Sequence, residues 1–108
     1  MKAALILLLA IVSTAASAVD DETLSTQQQI GFMVQSLADA IDSPSPKSVE
    51  IIAHYGTNSR YYVMIRGWLV QELTGIESQL AAQGDNADPV LVNKAKHLKI
   101  SLRRIDLE

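Results

Sequence analysis

Apolar and polar residues alternate along this chain with helical rather than strand periodicity, and four segments carry the pattern. In the first, about 25–41, Ile30, Met33, Val34, Leu37, Ala38 and Ile41 fall on one stripe of an amphipathic helix. Ser25 or Thr26 is suited to cap it. Phe32 lies off the stripe and either packs on a neighbouring element or stays exposed.

Pro44 and Pro46 separate this segment from a short second helix, 46–55. Ser45 as N-cap and Pro46 at the first helical position are a standard opening. Val49, Ile52 and Ala53 make its inner face. Gly56 is suited to the left-handed position that ends helices.

The third segment, 58–83, follows a cap at Thr57 or Asn58. Tyr62, Ile65, Leu69, Leu73, Ile76 and Leu80 mark its seam. Tyr61, Met64 and Trp68 widen the seam, and Val63 and Val70 lie nearly opposite. A helix apolar nearly all round predicts a central post touched by the others. The stretch Tyr61–Ile65 also fits a strand, being aromatic and β-branched. Gly67 and Gly75 inside the helix mark either a close crossing or a kink.

Asp88 and Pro89 repeat the N-cap and proline opening for the fourth segment, 88–105. Leu91, Ala95, Leu98, Leu102 and Ile105 form a short seam resembling about two heptads. The fold expected is therefore all-α, a small bundle of about four helices.

One further apolar run does not belong to the bundle. Lys2 precedes Ala3–Val12, an h-region of about ten residues, and Ala16-Ser17-Ala18 is a small-x-small cleavage site. A membrane-spanning helix needs about twenty apolar residues. Residues 1–18 thus read as a cleaved signal peptide and 19–108 as a single small helical domain; an uncleaved anchor is the alternative. The brevity of the run points to a bacterial periplasm, with secretion as the alternative.

Composition narrows the chemistry. The chain of 108 residues has no cysteine, so no disulfide staples the domain in a compartment that permits one. The net charge is −3, which argues against bulk binding to nucleic acid or to an anionic membrane. His54 and His97, the only histidines, stand on different helices, and neither has a partner ligand at i+3 or i+4. No metal or other cofactor is expected. There is no Gly-x-Ser-x-Gly elbow and no glycine-rich phosphate loop. No catalytic residue is nominated, and an enzyme ranks third among the readings.

Two clusters remain as binding candidates. Arg60, Tyr61, Arg66 and Trp68 surround the start of the third helix, and these residue types are enriched at interaction hot spots. They suit a protein partner or, through Arg60, Tyr61 and Arg66, an anionic small ligand. The competing reading places Tyr62, Met64, Ile65 and Trp68 in the core with both arginines outward. Lys96, Lys99 and Arg103 on the fourth helix are either a solvated face that complements the helix dipole or a docking face for an acidic partner. Together these features predict an exported, non-enzymatic module that binds another protein or a second copy of itself.

Overall fold

The computed structural model describes residues 21–107, with side chains from residue 25 onward. The expected signal, 1–18, and its cleavage site lie outside the described residues. Every regular element among the described residues is helical: α1, Asp21–Asp42; α2, Pro46–Gly56; α3, Tyr62–Gln83; and α4, Pro89–Leu107, with a 3₁₀ turn at Gly84–Asn86 before α4. The protein is a small all-α fold. Contacts divide it into two units, Met1–Phe32 and Met33–Glu108. The described part of the first unit is the opening stretch of α1.

In the second unit, Met33, Leu37, Ala40 and Ile41 of α1 join Ile52, Ile65, Leu69, Leu98 and Ile105 in one core cluster. Leu37, Ile52, Ile65, Leu69 and Leu98 are fully buried. α4 packs along α3 and α2. Its predicted seam is the part that does so: Ala95, Leu98 and Ile105 are buried, and Leu102 packs beside them. A seam sealed inside the fold is not available for pairing with a second copy.

Local signals set the helix ends. Ser45 is extended, and its hydroxyl oxygen accepts the N–H of Ser48 at 3.0 Å. Asp88 accepts the N–H of Val90 at 2.9 Å through Oδ1. Gly84 has φ +59°, a conformation that a side chain disfavours.

Several expectations need correction. α1 is already helical at Asp21, so Ser25 and Thr26 lie inside it rather than at its cap. Ile30 and Phe32 are 44% and 69% exposed, and Val34 is also exposed, so the buried stripe begins at Met33. Gly56 is not left-handed. It is the buried last residue of α2, and its missing side chain admits Ile105. Thr57 finishes α2 rather than opening α3, since its N–H and its hydroxyl both donate to the Ala53 carbonyl.

α3 begins at Tyr62, four residues later than expected. Asn58 causes the delay: Oδ1 accepts the N–H of Arg60 and its carbonyl accepts those of Tyr61 and Tyr62. This is a side-chain-stabilised turn that competes with helix. The strand alternative for Tyr61–Ile65 falls, because Tyr61 is in the turn and Tyr62–Ile65 are helical. α3 is also not enclosed on all sides. Ile65 and Leu69 are buried, whereas Val63, Met64 and Val70 face solvent. A side chain on Gly67 or Gly75 would meet open space, so neither glycine marks a close crossing.

Candidate functional site: a cleft between α2 and α4

The candidate arginine–aromatic patch is divided by the fold. Arg60 and Tyr61 stay together in the turn before α3, with the guanidinium carbon 5.8 Å from the ring centroid. Arg66 points to α4, where its Nε donates to Asp106 Oδ1 at 3.1 Å. Tyr62 donates its hydroxyl to the same oxygen at 2.5 Å. Trp68 is two residues from Arg66, about 200° around the helix. It packs against the core and lines a small recess with Asp39, Asp42 and Glu72.

The Tyr62–Asp106–Arg66 group is electrostatically coherent. The hydrogen bond from Tyr62, then that from Arg66 and its charge, hold the Asp106 carboxyl below its ordinary value. Donation to that carboxylate raises the Tyr62 phenol and the Arg66 guanidinium. The group ties the beginning of α3 to the end of α4, and Arg66 is engaged there.

The basic residues of α4 also separate. Lys99 lies 3.6 Å from Glu77 of α3, with both side chains more than half exposed. Arg103 is exposed. Lys96 instead lines a cleft of about 470 Å³ between the start of α2 and the middle of α4.

Sequence spacing explains the cleft. Asn93, Lys96, His97 and Ile100 occupy positions i, i+3, i+4 and i+7 of α4, a single face. The opposite wall is Pro44, Pro46 and Val49, where the proline-rich connection enters α2. Prolines keep this wall short of backbone donors. Pro46 has no N–H, the Ser48 N–H is capped by Ser45 Oγ, and the Val49 N–H bonds the Ser45 carbonyl.

The cleft therefore mixes the two kinds of lining: Pro44, Pro46, Val49 and Ile100 are apolar, and Ser45, Glu50, Asn93, Lys96 and His97 are polar or charged. Ile100 is 48% exposed there, although it is a large aliphatic residue. Glu50, also in the lining, is matched by Arg104, whose two terminal nitrogens donate to its two oxygens at 2.6 and 3.3 Å. That fork holds the Glu50 carboxyl below its ordinary value. Lys96 has no ion-pair partner among the described residues.

His97 contributes to the floor and is only 4% exposed. Its Nε2 lies 2.8 Å from the Ala40 carbonyl. A carbonyl oxygen only accepts, which assigns a proton to Nε2 and, in the neutral ring, leaves Nδ1 as an acceptor. Sequence reasoning singled out Lys96 but not Asn93 or Ile100, and set His97 aside. The i, i+3, i+4, i+7 spacing of these four was visible, but the α2 wall that makes them a cleft was not.

His54 is exposed on α2, with its ring edge-on to Tyr55. Among the described residues no three histidines or carboxylates cluster as metal ligands. Comparison with protein-family models, with curated proteins and with solved structures finds no match.

Proposed function

We propose that this is an exported, non-enzymatic helical module of the bacterial periplasm that works by binding another protein through the α2–α4 cleft. The observation that carries the reading is Ile100, a half-exposed aliphatic residue in a cleft that also holds Lys96, which has no ion-pair partner among the described residues. Apolar anchors in a pocket with a charged rim are the usual source of interface affinity. Export rests on the pattern of residues 1–18, and the non-enzymatic reading rests on the lack of a nucleophile or phosphate-loop signature in the sequence. The burial of the α4 seam favours a different protein over a second copy as the partner. The engagement of Arg66 by Asp106 weighs against an anion site built on Arg60, Tyr61 and Arg66.

The test is capture from a periplasmic extract with the tagged protein and with Ile100→Asp and Lys96→Glu. Both positions are exposed, so both variants should keep the helical circular dichroism spectrum. The captured protein should be lost with each variant. A partner retained undiminished by both overturns the cleft as the binding surface. A dimer in light scattering that both variants dissolve would make a second copy the occupant and overturn the hetero-partner reading.

A further inference from the structure

We propose that the α2–α4 cleft recognises the free C-terminal carboxylate of a partner chain whose last residue is apolar. This deepens the binding reading above and rests on it. Three kinds of residue line one volume of about 470 Å³: the cation Lys96, the apolar Val49 and Ile100, and His97, whose neutral ring offers an acceptor. The cation is Lys96, free of any ion pair among the described residues. The apolar surface is Val49 with the prolines of the α2 entry on one side and Ile100 of α4 on the other.

The lone acceptor is Nδ1 of His97. The residue is 4% exposed, and only Nε2 of its ring has a partner among the described residues. No buried side-chain nitrogen or oxygen among them is both sealed and unpaired, so Nδ1 retains access to solvent. An acceptor that only water can reach can exchange that water for a donor on an occupant.

A terminal apolar residue offers the complement from a single Cα. Its carboxylate meets Lys96, with the Asn93 amide available as a second donor. Its side chain lies on Val49 and Ile100, and its amide N–H donates to His97 Nδ1. The cleft does not repel the anion through Glu50, because the Arg104 fork balances that charge. The α2 terminus contributes little to anion binding, since Pro46 lacks an N–H and those of Ser48 and Val49 are already bonded.

The test titrates the ¹⁵N-labelled protein with acetyl-Ala-Leu and with acetyl-Ala-Leu-amide, followed by NMR. The free acid should shift the amides of Asn93, Lys96, His97 and Ile100 and bind at least about tenfold tighter than the amide, a difference of about 1.4 kcal/mol. Lys96→Ala should bring the acid down to the affinity of the amide, with the rest of the spectrum unchanged. Equal affinity for the two peptides, or no shift from either at millimolar concentration, overturns the proposal. A partner lost with Ile100→Asp but not displaced by the free acid also overturns it, while leaving the binding module standing. Acid binding that depends on Lys96, together with capture indifferent to Ile100→Asp, supports the carboxylate site and removes the module reading instead.

Discussion

A β-carbon on Gly56 would stand 2.7 Å from Cγ2 of Ile105. The last residue of α2 is thus shaped by a side chain 49 positions later in the chain, near the end of α4. Gly56→Ala gains helix propensity of up to about 1 kcal/mol. It also forces two helices apart, and overpacking costs about 1–3 kcal/mol. The expected result is net destabilisation in a urea melt. Ile105→Ala alone should cost about 2–5 kcal/mol. Because it removes the obstructing methyl, Gly56→Ala should be neutral or stabilising in that background. Additive costs in the double variant would show that the contact does not control the site.

Gly67 and Gly75 give the opposite result. Both are exposed inside α3, and an added side chain meets open space at each. Gly67→Ala and Gly75→Ala should each stabilise by about 0.5–1 kcal/mol, through propensity and a less flexible unfolded chain. Calorimetry should show a raised Tm for each and a further rise for the pair. A fall in Tm at either position would reveal an obstruction absent from this geometry.

Ser45 holds the opening of α2 by accepting the Ser48 N–H at 3.0 Å. Ser45→Ala should cost about 1 kcal/mol, and Ser45→Asp should retain most of the stability. The two variants are best compared by chemical denaturation, where an unchanged midpoint for Ser45→Ala would mean that the cap contributes nothing.

Asp106 predicts an acid dependence. Its carboxyl is held below the ordinary value of about 3.9 by the hydrogen bond from Tyr62, then by Arg66. A depressed folded-state pKa stabilises above the unfolded value, and that stabilisation is lost as pH falls through the folded one. Asp42 and Glu50 act in the same direction through Lys94 and Arg104. The Tm difference between the wild type and Asp106→Asn should be full at neutral pH and shrink below about pH 4. Tyr62, raised by the same bond, adds a loss at the alkaline side, above the ordinary tyrosine value of about 10. A difference constant from pH 2 to pH 7 would exclude the carboxylate as its source.

These residues show where the sequence was legible. Ser45-Pro46 and Asp88-Pro89 announced two helix starts because a cap and its donor lie within three residues. Leu98 and Ile105 announced a buried face because one helix carries both. Asn58 has a side chain that suits either a helix cap or a turn, and only the bonds to Arg60, Tyr61 and Tyr62 decide between them. The role of Gly56, the partner of Arg66 and the cleft around Lys96 all depend on pairs 40 or more residues apart. Local periodicity carries no information at that range. Ile30 and Val34 failed for a related reason, since a stripe shows which side of a helix is apolar but not where its neighbour ends.

The position of α4 has a consequence for the order of events. Among the described residues, ion pairs join it to all three others: Lys94 to Asp42 of α1, Lys99 to Glu77 and Asp106 to Arg66 of α3, and Arg104 to Glu50 of α2. Its apolar face also closes the core. The core that Leu37, Ile52, Ile65 and Leu69 share across the first three helices therefore stays open on one side until the stretch beginning at Pro89 supplies Leu98 and Ile105. Folding would finish only after synthesis of the last helix, which closes the core on the three before it.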